Sequence, residues 1–227
     1  MAKNLRSELT SSGEDYLKAI CKLHDEGNGG VSTQSLAARL NVSAPSASAM
    51  MKKLAALKLV DYSPYRGVTL TASGERIALE TIRHHRLVET YLVEILGVDW
   101  DKVHDEADRW EHVLSEEVEA KMCAALGNPT RDPHGAPIPS LDGKVPRDNW
   151  VSLSQVAAKT RCVVRRISDE RGETLRHLRD LGIVPNANVE VTRAVENEGV
   201  IHLRVGNRKR VLGVVPASAV FVELQDK

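Results

Sequence analysis

The chain has 227 residues, 42% of them hydrophobic and 27% charged, with 31 basic and 31 acidic side chains. That length fits one large domain or two to three small ones, and the neutral balance excludes a strongly basic coat while leaving room for a local basic patch. No apolar run reaches the roughly eighteen residues of a membrane span, the N-terminal MAKNLRSELTSSGEDY has no apolar core of a secretory signal, and three widely spaced cysteines point to a reduced, cytoplasmic setting.

In chain order, residues 1–74 read as helices with short turns. Ser11 or Ser12 caps a first helix over EDYLKAICKLHDE, which GNGG ends because glycine tolerates positive φ. Ser32 caps a second helix, TQSLAARL, and Asn41-Val42-Ser43 makes a tight turn. A third helix starts near Pro45, whose missing N–H is not needed in a first turn, and buries Met50, Leu54 and Leu57 at helical spacing. Its small hydroxyl residues Ser43, Ser46 and Ser48 suit close approach to a major groove. Two short strands then flank Pro64-Tyr65-Arg66-Gly67 as a wing. Between Ser43 and Arg66 the basic residues are Lys52, Lys53, Lys58 and Arg66, against the single acid Asp61. This order predicts a winged helix-turn-helix that neutralises DNA phosphates.

Residues 75–127 carry long helical periods. The run DKVHDEADRWEHVLSEEVEAKMCAAL is read as one helix, with His104, Asp108, Glu111 and His112 on an arc of about 100° and Val103, Trp110 and Leu114 opposite them. His85 and Glu89 share a face of the preceding helix, TIRHHRLVETYLVEIL. Clustered carboxylates repel, and a divalent cation relieves that repulsion by taking carboxylate oxygen and neutral imidazole. An oxygen and nitrogen donor set without thiolate favours Mn(II) or Fe(II). The competing reading is a charged helix face with isolated histidines. Without an HExxH pattern, a metalloprotease is not supported, and no nucleophile or base stands apart from the ligands.

Residues 128–150 hold five of the nine prolines and form an irregular connector. From 151 on, VEVTRAV, VIHLRV, RVLGVV and AVFVEL are short, β-branched and separated by turn signals, which predicts a small β-barrel. The fold class is thus α+β.

VHDEADRWEHVLSEEVE, HHRLVETYLVEILG and DPHGAPIPSLDG resemble the diphtheria-toxin-repressor family of metal-dependent transcriptional regulators. The resemblance spans almost the whole chain and implies a winged helix-turn-helix over 1–74, a helical dimerisation domain over 75–146 and an SH3-like, FeoA-like domain over 151–227. It implies a non-enzymatic homodimer that binds duplex operator DNA when metal-loaded and represses metal-uptake genes. Primary-site ligands would be Asp15, Asp108, Glu111 and His112, and ancillary ligands His85, Glu89 and His104. Asp132 and His134 match linker ligands of some manganese-responsive members, and Asp169 matches a C-terminal carboxylate donor, with Glu170 and Glu173 as alternatives. Asp15 and Asp108 stand where iron-type members hold methionine and cysteine, which favours Mn2+, with Fe2+ as the alternative. Lys18 departs from the short manganese regulators, which carry an acid there, and so argues against a two-metal cluster. DNA contacts would fall on Thr33, Gln34, Ser43, Pro45, Ser46, Ser48 and Lys53, with Ala49 replacing a glutamine of the iron-type repressor.

Overall fold

A computed structural model describes residues 9–26, 30–63, 66–168, 171–195 and 199–225. The chain divides into two compact units: 1–85 with 110–114 and 139–144, and 86–109 with 115–138 and 145–227.

The first unit contains α1 (Ser11–Glu26), α2 (Thr33–Arg39), α3 (Ala44–Ala56), β1 (Val60–Ser63), β2 (Gly67–Leu70) and the first part of α4 (Ala72–Glu94). The expected helix-turn-helix and wing are present. The α1 cap lies earlier than expected: the Thr10 hydroxyl accepts from Gly13 N–H at 3.3 Å. Ser32 and Ser43 cap α2 and α3, each accepting from the backbone N–H three residues on. Asn41 takes φ 52° in the turn between them, a conformation Asn tolerates better than most residues. The strands pair antiparallel from Val60 opposite Leu70 to Ser63 opposite Gly67. Pro64 and Tyr65 of the expected wing tip lie outside the described residues.

The core of this unit packs Leu17 and Ile20 of α1, Leu36 of α2, Ala47, Met51 and Leu54 of α3, Leu59, and Ile77 and Ala78 of α4, all fully or nearly fully buried. Each buried Leu or Ile contributes roughly 1.5–3 kcal/mol. The inward face of α3 therefore runs through Ala47, Met51 and Leu54, while the expected Met50 and Leu57 are half-buried.

The second unit holds the rest of α4, α5 (Val103–Trp110) as far as Arg109, α6 (Glu116–Ala125) and the C-terminal domain. The single long helix expected over 101–126 is broken. Ser115 caps α6 by accepting from Val118 N–H, so 111–115 form a turn rather than a helical face. Val103 is buried as expected, but Trp110 is exposed and Leu114 half-buried. The proline-rich connector is irregular yet well tied. Asp132 Oδ1 accepts from the N–H of His134 and of Ala136, both at 2.9 Å, and Ile167 N–H donates to His134 carbonyl at 2.9 Å. Gly135, at φ 86°, passes so close to the Arg165 carbonyl that a Cβ would collide with it. Arg131 makes a bidentate pair with Asp148 and covers the Trp150 ring at 4.4 Å.

The C-terminal domain is a six-stranded antiparallel sheet in the order β3-β8-β4-β5-β6-β7. Its strands are β3 (Val151–Ser152), β4 (Thr160–Ile167), β5 (Asn188–Val195), β6 (Val200–Val205), β7 (Arg208–Gly213) and β8 (Val220–Leu224), with helices α7 (Gly172–Leu181) and α8 (Val214–Ser218). The four expected strands match β5 to β8, except that RVLGVV ends its strand at Gly213 and its last two valines start α8. β3, β4 and α7 add to the elements expected from the sequence. Cys162, Val164, Leu175, Leu178, Val191 and Val222 share one closed core. This is the small SH3-like sheet domain expected at the C-terminus.

Candidate metal centre and DNA-facing helix

In the first unit, α1 supplies Glu14, Asp15 and Lys18, and the turn after α5 supplies Glu111 and His112. Glu14 and Lys18 are one helical turn apart and share a face. Glu111 is fully buried and held on both oxygens: Lys18 Nζ lies 2.6 Å from Oε1 and His85 Nδ1 2.5 Å from Oε2. His84 Nδ1 lies 3.1 Å from the Glu111 carbonyl oxygen. His112 is gripped from two sides. Its Nδ1 is 2.6 Å from Glu14 Oε2, and its Nε2 is 3.0 Å from Asp15 Oδ1 and 3.5 Å from Glu111 Oε1.

These distances divide the labour. Glu14 fixes the ring by accepting from Nδ1–H, which aims Nε2 at the two other carboxylates. A ligating histidine is oriented in this way by a partner on its outer nitrogen. Donor atoms of Asp15, Glu111 and His112 all lie within 4.8 Å of one another. In the metal-free state, the hydrogen bonds to Asp15 and Glu14 raise the His112 imidazole to about 9, against the opposing effect of burial. The protonated ring then stands in for a cation among the carboxylates. The residues fit a divalent ion: two hard oxygen donors and one imidazole converge, with a neighbouring buried carboxylate outside them and no sulfur among the donors.

The second unit builds another cluster around Glu89 of α4, which is buried. Its Oε1 lies 3.3 Å from His104 Nδ1 and its Oε2 3.7 Å from His134 Nδ1. His134 Nε2–H donates to the Trp100 carbonyl at 2.9 Å, which turns Nδ1 toward Glu89. Burial, then the charge of Glu89, raises the Asp132 carboxyl above its ordinary value, and Arg86 Nε stands 3.7 Å from its Oδ2. Burial works against a charge on His134, but the nearby carboxylate of Glu89 prevails and raises it to about 8. Donor atoms of Glu89, Asp132 and His134 again lie within 4.8 Å of one another. Two crowded, buried carboxylates beside an imidazole fit a cation as well as the first cluster does.

The expected ligands thus group by unit. Asp15, Glu111 and His112 come together in the first, and Glu89, His104, Asp132 and His134 in the second. His85 belongs to the first unit, where it holds Glu111. Asp108 belongs to the second, half-exposed, with its Oδ2 3.8 Å from His104 Nε2. Asp169 lies outside the described residues, as does Glu170. Sequence reasoning missed Glu14, whose signal was the adjacent acid pair at the start of α1.

Of the residues expected to meet DNA, Thr33 and Gln34 open α2, with Gln34 exposed. Ser43, Pro45 and Ser46 lie exposed in the cap and first turn of α3, and Ser48 is half-buried. Ser43 hydroxyl donates to Ser46 Oγ at 2.9 Å. Lys52, Lys53, Lys58 and Arg66 are all exposed.

Comparison with known proteins fits these elements. Family models described as the iron dependent repressor N-terminal DNA binding domain, the iron dependent repressor metal binding and dimerisation domain, and the FeoA domain match residues 8–68, 71–140 and 151–224. The iron-dependent repressor IdeR of Mycobacterium tuberculosis is 35% identical over 96% of this chain and 99% of its own. The chain belongs to the diphtheria-toxin-repressor family. The diphtheria toxin repressor of Corynebacterium diphtheriae is 39% identical over 60% of this chain and 59% of its own. A solved manganese-dependent transcriptional repressor in complex with manganese is similar at TM-score 0.88 and 40% identity, covering 94% of this chain and all of that one. As a family member, the chain is a metal-dependent transcriptional repressor with a DNA-binding and a dimerisation domain. Among the described residues no helix is long and apolar enough to cross a membrane.

Proposed function

We propose that this protein is a Mn(II)-activated repressor of metal-uptake genes, acting in the cytoplasm as a homodimer on a DNA operator and performing no catalysis. The observation that carries the reading is the convergence of Asp15, Glu111 and His112 on one spot. Asp15 lies in the stretch matched by the DNA-binding family model, and Glu111 and His112 in the stretch matched by the metal-binding and dimerisation model. The hard donor set supports manganese over more thiophilic ions. So does the likeness to the manganese-bound repressor. Fe(II) is the alternative, favoured by the likeness to the iron-dependent repressor.

Asp15, Glu111 and His112 would hold the ion, with Asp108 and His85 matched by resemblance to ligands of the primary and ancillary sites. Glu89, Asp132 and His134, with His104, would hold a second. A bound ion supplies positive charge that removes repulsion among the carboxylates. Glu14 keeps the His112 ring turned with Nε2 toward the centre, and Asp15 ties α1 to the turn at Glu111. The DNA-competent arrangement is favoured only as far as the ion binds it more tightly than the alternative. Thr33, Gln34, Ser43, Pro45, Ser46, Ser48 and Lys53 would meet the DNA. The two recognition helices of a dimer read half-sites about one helical turn apart. Three cysteines that form no disulfide suit a reducing compartment. The test is binding of the protein's own promoter region titrated with Mn(II), Co(II), Zn(II) and, without oxygen, Fe(II). A tighter midpoint for Fe(II) than for Mn(II) overturns the manganese assignment.

A further inference from the structure

The outer face of the C-terminal sheet carries an excess of positive charge that the neutral balance of the whole chain conceals. Arg161 of β4 stands opposite Glu190 of β5, Glu190 opposite Arg204 of β6, and Arg204 opposite Lys209 of β7, so these four form one row across four strands. Two residues along, Arg193 of β5 stands opposite His202 of β6, and His202 opposite Val211 of β7. Residues two apart on a strand point the same way, so both rows lie on one face. The other face packs Val189, Val191, Ile201, Leu203 and Leu212 into the domain core. Arg161, Arg193, Arg204 and Lys209 are all exposed. The one acid in the two rows is Glu190, whose Oε2 lies 3.3 Å from Arg204 Nη1. Toward β8 the excess ends, because Arg165 pairs with Glu223 at 2.7 Å.

This arrangement works against the sheet. Arg204 and Lys209 are like charges directly opposite each other, a pairing that costs stability. Lys209 alone has a plain structural reason: β7 is an edge strand, and charge there keeps the edge from pairing with another chain. That reason does not extend to Arg161, Arg193 and Arg204, which lie on the interior strands β4, β5 and β6. The chemistry of the face selects its partner. A protein interface needs an apolar or aromatic centre, and Val211, half-exposed, is the one large apolar side chain in the two rows. An interface with DNA is instead polar and strongly positive. The chain carries a DNA-binding domain, so duplex held there is offered to the C-terminal sheet at a high effective concentration.

We propose that the outer face of β4 to β7 is a second DNA contact, which binds backbone phosphates of the operator-bearing duplex without reading its sequence. The proposal rests on the DNA binding of the family and on none of the metal ligands. A merely solvated face would leave the salt dependence of DNA binding untouched.

The experiment uses the full-length protein with Mn(II) in excess and a duplex from its own promoter region, extended past the operator by about two helical turns, roughly 20 base pairs, on each side. Fluorescence anisotropy at several salt concentrations gives the slope of log affinity against log salt. The double variant Arg161→Gln with Lys209→Gln removes both ends of the charged row and leaves the pair of Glu190 and Arg204 in place. Its slope should be shallower than wild type by about 2, at roughly 0.9 per phosphate released. The control, Lys102→Gln with Lys121→Gln, removes the same charge from exposed helical positions of the same unit and should keep the wild-type slope. Circular dichroism checks folding, and if the double variant does not fold, Lys209→Gln alone decides, with an expected loss of about 1. An unchanged slope in the folded variant, or an equal loss in the control, overturns the proposal. An unchanged slope together with lost sedimentation on phosphatidylglycerol vesicles overturns it in favour of a lipid surface.

Discussion

His112 Nδ1 lies 2.6 Å from Glu14 Oε2, so the ring that points Nε2 at Asp15 is held from behind by the residue adjacent to Asp15 on α1. Two neighbours on one helix thus address opposite nitrogens of one imidazole. Removing the outer partner should loosen the ligand without deleting it. Glu14→Gln is expected to lower Mn(II) affinity at the first centre by about 10–100-fold with the fold intact. Calorimetric titration with Mn(II) checks this, and an unchanged affinity would show that Glu14 has no orienting role.

The same hydrogen bonds set a pH dependence. His112 is protonated up to about 9 in the metal-free protein, chiefly through its hydrogen bonds to Asp15 and Glu14. An ion takes the neutral ring, so below that pH each binding event must expel a proton. Mn(II) affinity is expected to climb as pH rises toward about 9 and to level off above it. Titration in buffers of different ionisation enthalpy would count the proton released. Stability of the metal-free protein runs the other way. The raised imidazole contributes fully below the unfolded histidine value of about 6.5. That contribution fades as pH climbs through about 9, so metal-free melting temperature should fall across this window.

In the second unit, Glu89 stands between His104 and His134 and adds its charge to that of buried Asp132. Glu89→Gln removes that charge while keeping the shape. It is expected to abolish one Mn(II) equivalent per chain and leave the first centre's equivalent in place. Ion counting by dialysis checks this. Retention of full stoichiometry would mean that the cluster is structural, held by Arg86 and the Asp132 turn alone.

The exposed lysines of α3 give a prediction about DNA. Lys53→Ala is expected to weaken binding to all sequences alike. It should also reduce the slope of log affinity against log salt by about 1 for each phosphate that is no longer neutralised. Anisotropy titrations at several salt concentrations measure it. A change confined to one operator sequence would point to base readout at Lys53 instead.

The helix-turn-helix and wing were legible because caps, glycines and a proline mark the ends of short elements whose cores repeat at helical spacing. The break between α5 and α6 was not. EHVLSEEVE continues a helical pattern, and only the Ser115 cap, weighed against that pattern, signals a new start. Glu111 and His112 therefore reach the centre from a turn, and a wheel drawn through both helices misplaces Trp110 as core. Strand β4 was missed because the three arginines of TRCVVRRI read as surface, and the spacing of its buried Cys162, Val164 and Ile167 slips at the bulge between Val164 and Arg166. Glu14 was missed because adjacent residues on a helix point about 100° apart. Such a pair shares a target only when that target is wide enough to be reached from two sides, as one ring with two nitrogens is.

The most direct test of the central claim is operator binding by wild type and Asp15→Ala as Mn(II) is titrated, followed by fluorescence anisotropy. Wild type should bind only with metal and be released by a chelator, while Asp15→Ala should stay folded and fail to respond to Mn(II). Chelator-insensitive binding by wild type, or a wild-type Mn(II) response in Asp15→Ala, would contradict the account.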